Sequence, residues 1–561
     1  MAKGMNFFKQ QTHAVDLYHA DLGDLGQGTL SFGSGNWAHV TFKGAGPSKK
    51  LVDEKTWHVI KARTSDGHSF SLFECKVHGF VLYADYVIDG DVDVAKFKRI
   101  DIRYSEISEW FLHLYHIEGT VGEKITWTEQ PKQFSVNVGS GREQFTIRSE
   151  YVGSFGKQGE DHVLHEHVEF IFERTNGKFS LSDLQSKTLE LSCLLSILIA
   201  YPISIISVEV MADDGRLYHA YFPTFKKVER DLSDNSFWIK CFAQKRAIED
   251  RWQIIFENYY KSKYRKVSWV RLAGMQRYEG FWEYKALGYV SLLDKYVTQR
   301  VKGVKGLPAT GPNPEKLLDL KNAIAQLSHP LVDGQRDELI DIVGRIFGKR
   351  ERTFSQKYQL ALADTDKDIV RIINLSDDDF KFIRRVRDAI AHGDDPGLQE
   401  SDFGKVSVIV GRIALLLTYW AFLDFGLTTA DFLECLSITH SRLRFDSQLD
   451  AIHLARVTKT AEFFNVSKTK FQALSKLKGL KVFACFVQDG KDEIEFSESY
   501  TKMYRDWQKN PSRKSGTYSY EEIFGVENDV IKIVGMAYIE SGADQLELHH
   551  MLVFDGSRLQ S

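Results

Sequence analysis

The sequence predicts a multidomain α+β protein. It reads as a β-rich N-terminal domain over residues 1–225, a central all-α helical bundle over 226–445, and a small C-terminal α+β domain over 446–561. Three observations predict this. Apolar and polar residues alternate with period two through much of the first 225 positions, the pattern turns helical after Pro223, and strand-like runs return after a basic stretch that begins near His453. At 561 residues the chain also exceeds what one hydrophobic core sustains, roughly 250–300 residues.

The alternation is clearest over 29–44, 57–74, 134–151 and 163–173, punctuated by the turn pairs Asp66-Gly67 and Asn176-Gly177. One amphipathic helix interrupts it, capped by the Ser182 hydroxyl and ended by Pro202. Residues 267–301 carry an apolar and aromatic stripe over many turns. They lead into the Gly- and Pro-bearing run VKGVKGLPATGPNP, which reads as a mobile loop over 302–314. Helices are expected again near 315–327, 336–347, 352–363, 376–392 and 403–425, and the short polar joins between them indicate an antiparallel bundle. Between His453 and Lys481 seven Lys or Arg face one acid, Glu462, and strands such as LKVFACFV and VIKIVGMAYIES follow.

A net charge of −3 excludes a uniformly basic nucleic-acid-coating protein but leaves room for a local basic groove. Five scattered cysteines without a CxxC argue against a disulfide scaffold and a zinc ribbon, and suit a reducing cytoplasm. The N-terminus has no long apolar core and is not expected to be a signal peptide. The apolar stretches 189–206 and 406–427 are broken by Pro202 and by Gly411-Arg412. They are read as buried helices rather than membrane spans.

The chemistry concentrates in SDDDFKFIRRVRDAIAHG, from Ser376 to Gly393. Ser376 is an N-cap, Asp377, Asp378 and Asp379 favour the positive end of the helix dipole, and Gly393 supplies the left-handed residue after the last turn. At about 100° per residue, Arg387 falls inside the stripe of Phe380, Ile383, Val386 and Ile390, whereas Lys381, Arg384 and Arg385 lie on the solvent side. An arginine among apolar neighbours must be paired or face a cleft. Asp388 and His392, four apart, share a face, so the carboxylate can orient the imidazole. A histidine that exchanges protons, with a guanidinium near it, suits attack of a ribose 2′-hydroxyl on the adjacent phosphate. Ideal phase places Arg387 and His392 about 140° apart, so they converge only through helix unwinding or a second protomer.

The segment RDAIAHG resembles the signature of HEPN domains: Arg387, a polar Asp388, three further residues, then His392. Asp294, in KALGYVSLLDKYV, matches the acidic residue of a HEPN first helix. VLYADYVIDG, ISEWFL and LELSCLLSILIAYP resemble the N-terminal domain of ApeA-type proteins. The resemblance implies an anti-phage, abortive-infection effector: a metal-independent endoribonuclease with catalytic Arg387, His392 and Asp388 and auxiliary Asp294. It also implies an RNA substrate, with tRNA a candidate, a phage-derived trigger, no cofactor, and a homodimer or higher homo-oligomer formed through the HEPN helices. The rival reading is an inactive HEPN scaffold that serves as a nucleic-acid or phage-protein sensor; a DNA-directed sensor is a third.

Two further features bear on binding. The run YYKSKYRKVSWVR interleaves aromatics with Lys263, Arg265 and Lys266, a pattern that suits stacking on RNA and also suits a snorkelling helix face. With Arg384 and Arg385 these are the candidate RNA contacts. His162, His165 and His167 lie in one strand, where a solvated face accounts for them without a metal, and no metal site is expected.

Overall fold

A computed structural model describes residues 5–44, 46–47, 51, 56–113, 117–120, 126–127, 131–140, 143–227, 237–302, 314–326, 333–347, 352–477, 480–489, 493–509 and 520–559. The chain divides into two compact units, Met1–Leu449 and Asp450–Ser561. The predicted layout holds: a β-rich N-terminal part, a helical region and a small C-terminal sheet domain.

The first six strands are β1 (Gln11–His19), β2 (Gly23–Gly33), β3 (Asn36–Phe42), β4 (Trp57–Arg63), β5 (Ser69–His78) and β6 (Val81–Asp89). They pair antiparallel in the order β1-β2-β3-β6-β5-β4, and β4 pairs back onto β1, so the sheet closes into a barrel. Alternation explains the closure, since Leu30, Val40, Ile60, Leu72 and Leu82 all point inward and are fully buried. The run 29–44, expected as one stretch, is two strands. Gly33, Ser34 and Gly35 all take positive φ (105°, 53° and 78°) and turn the chain back on itself.

Strand β6 is shared. Its first half pairs with β3 and its Val87 and Ile88 pair with Tyr221 and Ala220 of a second antiparallel array. That array comprises β7 (Arg99–Tyr104), β8 (Ser135–Ser140), β9 (Glu143–Gln158), β10 (Asp161–Glu173), β11 (Ile205–Met211) and β12 (Leu217–Tyr221), ordered β12-β11-β7-β10-β9-β8. Helix α1 (Leu181–Ile199) packs on β7. Its N-cap is Ser180 rather than Ser182, because Asp183 three residues on returns a bond to the Ser180 N–H and completes a capping box.

The helices that follow are α2 (Trp252–Lys261), α3 (Val270–Arg277), α4 (Trp282–Arg300), α5 (Pro314–Ala325), α6 (Asp333–Phe347), α7 (Phe354–Ala363) and α8 (Lys367–Ile373). They continue with α9 (Asp377–His392), α10 (Glu400–Asp424), α11 (Thr429–Ile438) and α12 (Arg442–Ser447). The stripe over 267–301 is not one helix. A π-turn spans Arg265–Trp269, and the chain leaves helical geometry at Tyr278 before α4 begins. The loop expected over 302–314 lies almost entirely outside the described residues.

The bundle core is aromatic. Trp269, Tyr296 and Trp420 stack in sequence at ring separations of 5.2 and 5.1 Å, all buried, and the Trp420 indole donates to Thr365 Oγ1 at 3.0 Å. Helix α10 is long and apolar enough to cross a membrane by length and composition, and 78% of its most apolar window is buried in the fold. Arg412, at its middle, reaches outward to Asp379 (3.1 Å) and to the carbonyls of Asn374 and Ser447. Beside it Gly411 lets α10 touch α12 backbone to backbone, for a Cβ there would sit 2.6 Å from the Asp446 carbonyl oxygen. Gly411→Ala is therefore expected to destabilise the first unit by about 1–3 kcal/mol, seen as a lower urea midpoint at unchanged slope.

In the second unit β13 (Glu462–Asn465), β14 (Cys485–Gln488), β15 (Ile494–Phe496), β16 (Ile531–Ser541) and β17 (Asp544–Asp555) form one mixed sheet, ordered β13-β16-β17-β14-β15. Two apolar clusters line it, one with Leu474, Phe486, Ile539 and Met551, the other with Tyr504, Phe524 and Phe554.

Candidate functional site

Helix α9 forms as its ends dictate. The Ser376 side chain accepts from the Asp379 N–H, the three aspartates fill the first turn, and Gly393 (φ 79°) sends its N–H back to the carbonyls of Ala389 and Ile390. Phe380, Ile383 and Val386 bury the helix against its neighbours α4 and α10.

Arg387 follows those three residues on the inner side. Its side chain is 21% exposed, its Nη2 donates to Asp294 Oδ2 at 2.7 Å across the α4–α9 contact, and its Nη1 donates to Asp388 Oδ1 at 2.9 Å. The guanidinium lies 5.7 Å from the centre of the Phe354 ring. That ring is fixed in turn. Phe354 packs edge-on to Phe380 at 5.0 Å, and Phe380 stacks on buried Tyr358 at 4.1 Å. The arginine in the apolar stripe is thus paired, as its desolvation requires. Phe354 is the member of this set that inspection of the sequence missed. Its only local signal is the Thr353…Gln356 capping box that starts α7 at that point.

His392 is the last residue of α9 and is exposed, and its imidazole makes no hydrogen bond or ion pair. The expected Asp388–His392 contact is not made: Asp388 turns back to Arg387 because the guanidinium is charged, adjacent and partly desolvated. The structure therefore brings Asp294, Arg387 and Asp388 together and leaves His392 by itself, five residues and about 7.5 Å further along the axis.

The other basic candidates separate. Arg385, Lys263 and Lys266 are exposed, and Lys263 lies over the Tyr264 ring at 5.0 Å. Arg384 donates to Ser355 Oγ at 2.6 Å and helps hold α7 on α9. Arg265 is not a surface residue. It is 5% exposed, 3.5 Å from Glu190 and 4.7 Å from the Tyr260 ring, and Lys187 meets the same carboxylate at 3.1 Å. The π-turn carries it inward, which removes it from any exposed stacking surface.

His167 pairs with Glu169 at 3.0 Å and His162 stacks on Phe155. Among the described residues no group of three or more His, Cys, Asp or Glu is placed to hold a metal ion.

Comparison with known proteins adds one match. Residues 26–259 match the family model described as ApeA N-terminal domain 1, which spans the barrel from β2 onward, the second array and most of α2. No curated protein and no solved structure matches the chain.

Proposed function

We propose a function for a chain that residues 26–259 make ApeA-like, a likeness that points to anti-phage defence: it is an effector that cleaves RNA through Arg387 and His392, with Asp294 and Asp388 positioning the arginine. The observation that carries this reading is the pairing of Arg387 with Asp294 of α4, on the helix whose final residue is an exposed and unengaged histidine. Two carboxylates and the Phe354 face hold the guanidinium in one orientation before substrate arrives, and preorganised charge of that kind stabilises a phosphoryl transition state.

In the proposed reaction the imidazole removes the proton of a ribose 2′-hydroxyl. The oxygen attacks the adjacent phosphorus as the bond to the 5′-oxygen breaks, and the 5′-oxygen departs with the proton the imidazolium returns, leaving a 2′,3′-cyclic phosphate and a 5′-hydroxyl. Arg387 faces the charge on the non-bridging oxygens. The axial and angular offset between Arg387 and His392 on one helix favours a homodimer whose two α9 helices border a single cleft. Structured RNA such as tRNA is the proposed substrate class, with a phage product as trigger.

The test is incubation of the purified protein with total RNA in excess chelator, followed by end-group analysis. Cleavage with cyclic-phosphate ends is expected to persist. Complete loss of cleavage under chelation, restored by a divalent ion, would remove the mechanism.

A further inference from the structure

A cleft of about 740 Å³ opens within the first unit, bordered by Ala200–Pro202 after α1, by α3, by the first half of α4, and by α10 and α12. Its size lies within the roughly 300–1,000 Å³ of small-molecule sites. Neither Arg387 nor His392 lines it, so it is separate from the site above.

Its walls carry planar side chains. Tyr201, Tyr278, Tyr289 and the pair Trp282–Phe403 border the space, and that pair meets edge to face at 5.2 Å and 72°. Such walls accept a flat ring between them. Several polar groups border the space, some of them committed: Thr418 donates to the Ala414 carbonyl. Gln276 Oε1 is buried at the wall and accepts no hydrogen bond, an arrangement that costs free energy until a donor reaches it. Lys285 and Arg442 line the same space, and neither forms an ion pair even though Glu279 and Asp446 also border it. Aromatic faces, one buried acceptor and two unpaired cations together match a planar heterocycle with N–H donors joined to an anionic group.

We infer that this cleft binds a single nucleotide unit, its base stacked between Trp282 and Tyr278 with an N–H to Gln276, and its phosphate at Lys285 and Arg442. The same chemistry comes from a free mononucleotide or from the terminal nucleotide of an RNA strand. Because the cleft joins the end of α1, inside the ApeA-like segment, to helices of the bundle, occupancy would stabilise that arrangement by mass action.

The experiment uses the full chain carrying His392→Ala, so RNA added to it stays intact whether or not the nuclease reading is right. AMP, GMP, CMP, UMP, a short oligoribonucleotide and inorganic phosphate are titrated separately, read by tryptophan fluorescence and by thermal midpoint. Saturable quenching with a raised midpoint is expected for at least one mononucleotide or for the oligoribonucleotide. Saturation by the mononucleotide assigns the free ligand, and response to the strand alone assigns an RNA end. Gln276→Leu is expected to weaken binding about tenfold. Arg442→Gln, at an exposed side chain without an ion pair, is expected to weaken nucleotide binding by a similar factor while leaving binding of the matching nucleoside unchanged. No response to any nucleotide or strand at about 10 mM, or binding that both substitutions leave intact, would overturn the inference.

Discussion

His392→Ala is expected to lower RNA cleavage by about 10²–10⁴-fold, the range that general acid–base catalysis contributes. It should also abolish protection against phage while leaving the urea midpoint unchanged. The imidazole is exposed and makes no hydrogen bond or ion pair, so the fold loses none with it, and the Gly393 cap of α9 is made by backbone alone. End-mapped RNA from infected cells expressing either form measures the effect directly. Protection retained at full strength by both His392→Ala and Arg387→Ala would favour a non-catalytic scaffold instead.

Trp420→Ala carries the largest expected loss of stability, about 3–5 kcal/mol. The indole is wholly buried on α10, stacks on Tyr296, takes the Arg300 guanidinium over its ring at 5.3 Å, and donates to Thr365. Truncation opens a cavity and leaves Thr365 Oγ1 without the indole donor, and neighbours held by α4 and α8 cannot collapse into the space. Equilibrium urea unfolding should show the drop, with far-UV circular dichroism of the folded form unchanged.

Local signals make part of this legible in the sequence. Helix α9 was readable to its ends because Ser376, the three aspartates and Gly393 each have a short-range physical role. Part of the barrel is legible as period-two alternation over 29–44 and 57–74, but β1 and β6 lie outside those runs, and the reversal at Gly33-Ser34-Gly35 is hidden because a strand-like pattern runs straight through a turn. The break between α3 and α4 was missed for a related reason: Tyr278, Phe281 and Trp282 keep the apolar stripe going across it. Arg387 stood out by phase, yet its partners did not follow equally. Asp388 was assigned to His392 from i,i+4 spacing, whereas the stronger pull of the neighbouring guanidinium decides its rotamer. Arg265 belongs to an interleaved basic–aromatic run that does not distinguish exposed from buried positions, and the π-turn at Arg265–Trp269 is invisible in that pattern. The nucleotide-sized cleft has no sequence signature, since its walls come from segments between residues 200 and 446 that only tertiary packing assembles.

The ApeA-like match ends at residue 259, inside α2, and the packing there is continuous. Tyr259 donates to the Glu190 carbonyl at 2.7 Å and rests on Phe425, while the Tyr260 ring lies beneath Lys187 and Arg265. Ser262 and the Trp269 indole both donate to Asp424, whose carboxyl burial holds above its ordinary range. A chimera spliced at that junction onto a foreign domain would therefore leave Tyr259 without Phe425 and the buried Lys187 without the Tyr260 ring. The cooperative unit is longer than the recognisable one, and the boundary at residue 259 is welded rather than hinged.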